Sequence, residues 1–174
     1  STQFAIAVQN TLNTNITLNG GVLLLHDDLR LGDDAVILDS GTVVFDATSI
    51  SSATDQIISG DTTFYSFVKQ IPSTAAPLQK LTFDSNATQT VAFLLTLEGL
   101  PANALILRSD SVNVDPLVRE WNLNLQVGAR QDIENVVVAD SNASGGITLV
   151  ARGAASVDSG NNTNWIFGTP TVRW

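Results

Sequence analysis

Apolar residues in this chain come in short runs separated by turn formers. The first part reads Ile16-Thr-Leu18, Gly21-Val-Leu-Leu-Leu25, Leu29-Arg-Leu31, Ala35-Val-Ile-Leu38 and Thr42-Val-Val-Phe45. Between the runs stand Asn19-Gly20-Gly21, His26-Asp27-Asp28, Gly32-Asp33-Asp34 and Asp39-Ser40-Gly41. Asn, Asp and Gly tolerate positive φ and close Asx-turns, so they suit corners. Run centres recur about every six or seven residues, tighter than the 8–12 typical of hairpin-linked strands. That beat predicts a β-solenoid, in which each short strand turns a corner and three sides make a rung of about twenty residues.

The second part keeps the pattern with a looser beat. Its runs are Thr63-Phe-Tyr-Ser-Phe67, Leu81-Thr-Phe83, Thr90–Leu97, Leu105-Ile-Leu107, Trp121-Asn-Leu-Asn-Leu125, Asn135-Val-Val-Val138, Ile147-Thr-Leu-Val150 and Trp165-Ile-Phe167. Trp121 to Gln126 alternates apolar and polar, which predicts one buried and one wet face. Other runs are apolar throughout, as in strands enclosed in a parallel sheet. Ser49–Gln56 and Asp115–Glu120 each read as a short helical turn, and Ile71–Pro77, with two prolines, as a loop. No stretch rich in Gly, Ser or Pro divides the chain. The expectation is one all-β domain over residues 1–174, a right-handed parallel β-helix, with residues 1–15 as an N-terminal donor or capping strand. The alternative is a β-sandwich or jelly roll.

Composition narrows the partners. The chain has 174 residues, Lys+Arg 8 against Asp+Glu 17, and a net charge of −9. No basic surface exists to displace counterions, which argues against nucleic acid and anionic membranes. Apolar runs such as Val22–Leu25 fall far short of the ~20 residues a membrane span needs, so no membrane insertion is expected. Cys and Met are both zero, which excludes disulfides and thiol chemistry. The chain opens on Ser1 without a basic stretch leading into an apolar one. The expectation is a mature protein whose leader has been removed, placed outside the cell or on its surface.

From Thr62 onward the segments resemble a known module. Thr63-Phe-Tyr-Ser-Phe67, Leu81-Thr-Phe-Asp-Ser-Asn-Ala-Thr-Gln-Thr-Val91, Leu105-Ile-Leu-Arg-Ser109 and Trp121-Asn-Leu-Asn-Leu125 occur in that order. Asp140-Ser-Asn-Ala-Ser-Gly-Gly146 and Val157-Asp-Ser-Gly-Asn-Asn-Thr-Asn-Trp165 follow. Over residues 62–165 this resembles the right-handed β-helix, adhesin-like module of secreted bacterial surface proteins. The resemblance implies a fold and an extracellular setting, and no catalytic residues.

Candidate chemistry is thin. His26 is the only histidine, and no Gly-x-Ser-x-Gly accompanies it. The pairs Asp27-Asp28 and Asp33-Asp34 stand on neighbouring turns. Carboxylates so placed are weak calcium candidates, since Ca²⁺ takes six to eight oxygen ligands; the plainer reading is turn-forming Asp on a solvated edge. Otherwise no cofactor is expected. Arg108, Arg119, Arg130, Asp110 and Asp115 would be the raw material of a polysaccharide lyase or hydrolase, but no spacing ties them together. Trp121, Trp165 and Trp174 could face a glycan or pack in the core. Four Asn-x-Ser/Thr tripeptides, those at Asn15, Asn86 and Asn142 among them, permit N-glycosylation where a host has the machinery.

The remaining expectation is assembly. Phe4-Ala-Ile-Ala-Val8 alternates apolar residues and could add as a strand to a neighbour, and the chain closes on Thr171-Val-Arg-Trp174. Solenoid ends expose unpaired backbone, which must be capped or stacked. Phe4, Ile6, Val8, Val172 and Trp174 are the expected self-assembly residues. The expected function is a non-enzymatic structural subunit of an extracellular filament, a homopolymer built head to tail or by strand donation. The alternative is an adhesive or carbohydrate-binding surface module, with a polysaccharide-cleaving enzyme behind it.

Overall fold

The computed structural model describes residues 18–25, 29–30, 35–45, 55–72, 78–111 and 115–168. Strands alternate between two sheets. One sheet runs β1 (Val22–Leu25), β3 (Ala35–Phe45), β5 (Thr62–Gln70), β7 (Thr88–Glu98), β9 (Trp121–Leu125) and β12 (Ser141–Asn142), with β10 (Arg130–Glu134) also paired to β7. The other contains β2 (Leu29–Arg30), β4 (Asp55–Ser59), β6 (Lys80–Phe83), β8 (Leu105–Ser109), β11 (Val136–Val138) and β14 (Val157–Asp158). A small third sheet joins β13 (Leu149–Ala151) to β15 (Trp165–Phe167).

Every pairing between these strands is parallel. The protein is therefore all-β with parallel sheets. A jelly roll is built from antiparallel strands, whereas the antiparallel pairing among the described residues is one isolated bridge, Leu100 with Asn103. Thr62 pairs with Gln89 and Ala35 with Thr62, an advance of 27 residues at each step. Toward the C-terminus the advance shortens to 20 or 21, as in Val137 with Val157. The first described step is equally short, Val22 with Thr42 at 20 residues, so the tight early beat holds there, and the longer advances lie between the two ends, up to 34 from Gln89 to Leu123.

One expected break is absent. Asp39-Ser40-Gly41 reads as a break between two strands, but β3 passes straight through it. The ladder instead shifts register between Ile37 and Thr42, and Ser40 takes a φ of 65°. β5 shifts in the same way between Phe64 and Ser66. One bent strand therefore covers the course that β9 and β10 later cover with a turn between them. The other corners follow the expectation: Asn19, Asn86, Asn135, Asp140, Asn161 and Asn164 all have positive φ. A one-turn helix α1 (Pro116–Arg119) stands where Asp115–Glu120 predicts one. The helical turn expected over Ser49–Gln56 is corrected at its end, since Asp55 and Gln56 belong to β4.

Inward residues form columns across the ladders. Leu23, Val43, Phe67 and Leu95 stack in one, and Gln56, Leu81, Leu107 and Val138 in another. Alternation gives each strand a buried and a wetter face, as in Trp121–Leu125, where Trp121, Leu123 and Leu125 are buried. Each fully buried Leu or Phe contributes about 1.5–3 kcal/mol. The rings of Phe83 and Trp121 stack at 3.9 Å and 3° between two turns of the chain.

Candidate functional site

The residues singled out by sequence separate into three groups. Phe4, Ile6, Val8, Val172 and Trp174, the expected assembly residues, lie outside the described residues, as do His26 and the calcium candidates Asp27, Asp28, Asp33 and Asp34. The second group is the set of charges considered for polysaccharide chemistry, and the contacts of four of them are with different partners. Arg108 pairs with Asp55 at 2.9 Å and reaches Thr82. Arg119 pairs with Asp140 at 3.1 Å. Arg130 lies 4.8 Å over the Phe93 ring. The Asp110 carboxylate accepts the Ser85 N–H at a turn. Among the described residues no three His, Cys, Asp or Glu side chains gather as a metal would require.

The third group is aromatic. Trp121 is fully buried, stacked on Phe83, and its indole N–H donates to the Ala139 carbonyl at 2.9 Å. It has no face to offer a sugar, so of the two readings open for Trp121 the structure has core packing. Tyr65 and Phe93 do reach the outside, but their rings stack on each other at 4.8 Å, and the Arg130 guanidinium stands over Phe93. Those contacts consolidate a corner and use up ring faces that a sugar would need.

Trp165 is different. β15 pairs with β13 through Leu149–Trp165, Val150–Ile166 and Ala151–Phe167. Trp165 and Phe167 stack at 5.8 Å and 17° over the fully buried Leu149 and Ala151, yet remain only partly buried themselves. The Trp165 N–H donates to the Ser141 hydroxyl at 3.1 Å. Ile166 is 50% exposed, and Val157 on β14 is 47% exposed. At the other end of the same stack Leu23 and Leu25 of β1 are only 3% exposed. The outward residues of both end strands are open, Val22 of β1 at 56% and Ile166 of β15, but the inward ones differ: Leu23 and Leu25 are covered, whereas Trp165 and Phe167 are partly open. Among the described residues no strand pairs the far side of β15.

One buried cluster was not anticipated. Lys69 is 0% exposed and stands in an apolar column between Phe45 and Leu97. Its ammonium donates to Gln56 Oε1 at 2.6 Å and Gln79 Oε1 at 3.2 Å, and Gln56 in turn donates to the Leu25 carbonyl. The signal was available: counting by twos from the apolar Phe67 puts Lys69 on the inward face. Charge alone suggests the opposite, because buried Lys is rare unless paired.

No described helix is long and apolar enough to cross a membrane. No family model, curated protein or solved structure matches the chain.

Proposed function

We propose that the chain is a structural subunit that assembles with copies of itself, its ladders forming the coils of a right-handed β-solenoid. The observation that carries this reading is the contrast between the inward residues of the two ends: covered Leu23 and Leu25 against partly open Trp165 and Phe167. An edge strand with unpaired N–H and C=O groups recruits a further strand. Phe4-Ala-Ile-Ala-Val8 has the alternation such a strand needs, so strand addition from a second copy would place apolar side chains over Trp165 and Phe167. A head-to-tail contact of this kind does not close on itself and yields a filament. A secreted or cell-surface setting belongs to the same reading.

The test is electron microscopy of the purified chain beside a variant lacking residues 1–9. Filaments from the intact chain and none from the truncated one support the reading. Persistent monomers at every salt and calcium level refute it.

A further inference from the structure

The sequence offers several N-glycosylation tripeptides, and the structure treats them very differently. Asn142-Ala-Ser144 is tied up. The Asn142 Oδ1 accepts both the N–H and the hydroxyl of Ser144, at 3.0 and 2.7 Å, and its Nδ2 donates to Glu120 Oε2 at 3.2 Å. Both groups a transferase must engage are therefore already held, the amide nitrogen by Glu120 and the hydroxyl two residues on by the Asn142 Oδ1. Asn161-Asn162-Thr163 is tied up as well. The Asn161 Nδ2 donates to Asp140 Oδ1 at 3.1 Å. Thr163 is held to its neighbours on the next turn through its backbone: its N–H reaches the Ser141 carbonyl and its carbonyl accepts the Ala143 N–H.

Asn86-Ala87-Thr88 stands apart. Asn86 sits at the tip of the turn between β6 and β7, is exposed, and holds a φ of 66°. The turn is fixed without the Asn86 and Thr88 side chains: Ala87 N–H donates to the Asp84 carbonyl at 3.2 Å, Asn86 N–H to the Glu120 carbonyl at 2.6 Å, and the Ser85 and Thr88 N–H groups to the carboxylates of Asp110 and Asp61. Among the described residues the Asn86 amide and the Thr88 hydroxyl make no hydrogen bond, and Thr88 is only partly buried. The turn joins β6 of one sheet to β7 of the other, both inside their strand orders, whereas β15 belongs to the third sheet.

We propose that Asn86 is the site at which the folded chain accepts an N-linked glycan. The donor is an oligosaccharide carried on a polyprenyl diphosphate, and the catalyst is an oligosaccharyltransferase. A bond forms between Asn86 Nδ2 and the sugar C1 while the C1–O bond to the diphosphate breaks. The electron pair leaves with the polyprenyl diphosphate, and the transferase takes the displaced amide proton. A glycan there is not on β15, so it is compatible with stacking but does not depend on it.

The experiment uses the full-length folded chain with Asn15→Gln, incubated with a bacterial oligosaccharyltransferase, its lipid-linked oligosaccharide and a control acceptor peptide, followed by peptide mapping. The expected result is modification of Asn86 at least tenfold above Asn142 and Asn161, abolished by Asn86→Gln and also by Thr88→Ala, which keeps the asparagine. Heat-unfolding the chain first should raise modification at Asn142 and Asn161. Equal modification of Asn142 or Asn161 in the folded chain overturns the proposal. So does a bare Asn86 beside a modified control peptide.

Discussion

Lys69 donates a 2.6 Å hydrogen bond to Gln56 beside a core built mainly from Leu, Val, Ile and Phe. The two residues belong to adjacent strands of different sheets, so the bond ties β4 to β5 through the interior. Buried donors and acceptors are worth little when paired and are expensive to leave unpaired. Lys69→Met keeps much of the volume but leaves the Gln56 and Gln79 oxygens without this donor. It should destabilise the fold by about 1–3 kcal/mol, read by urea denaturation. Adding Gln56→Leu and Gln79→Leu should recover most of that loss. An unchanged midpoint in Lys69→Met would show that the cluster contributes nothing.

Trp121 is expected to behave as a core residue. Trp121→Ala removes the largest fully buried side chain and the partner of the Phe83 ring. Losses for such truncations run at about 3–5 kcal/mol. Calorimetry should find a much lower midpoint, whereas an adhesive role would show as lost glycan binding with the midpoint intact.

Gly99 stands where the chain has no room for a side chain. A Cβ there would overlap the Asn135 carbonyl oxygen and the Leu105 backbone nitrogen. Both are backbone atoms of the ladder, so relief requires the strands to move. Gly99→Ala should cost about 1–3 kcal/mol by overpacking, and a neutral result in denaturation would mean that this turn yields easily.

Arg108 supplies the contrast. Its ion pair with Asp55 joins side chains 45% and 32% exposed. Solvent and salt screen such a pair, and exposed pairs give about 0.2–1 kcal/mol. Arg108→Ala should therefore shift the denaturation midpoint far less than Lys69→Met. A larger shift from Arg108→Ala would reverse the ranking of wet and dry polar contacts made here.

Much of the architecture was legible because it depends on residue type at close range. Asn and Asp at the corners announce positive φ, and the alternation of Trp121-Asn-Leu-Asn-Leu125 announces its buried face. The continuity of β3 through Asp39-Ser40-Gly41 was not legible, since the same three residues suit a bend within a strand as well as a break between two. Nor were Lys69, Gln56 and Gln79, because their inward direction is set by strand phase and by partners on neighbouring turns of the chain. Trp165 and Trp121 look alike in sequence; only their position in the stack separates a half-open end from a closed core.

Cryo-electron microscopy of the assembled chain is the most direct test of the central claim. Strand spacing of about 4.8 Å over six or seven layers gives a subunit advance of about 30 Å along the axis. The account predicts unbranched filaments with that repeat, strands perpendicular to the axis, and Trp165 and Phe167 buried at each subunit contact. Trp165→Asp with Phe167→Asp should leave folded monomers. Filaments joined through another surface, or unaffected by the double substitution, would contradict it.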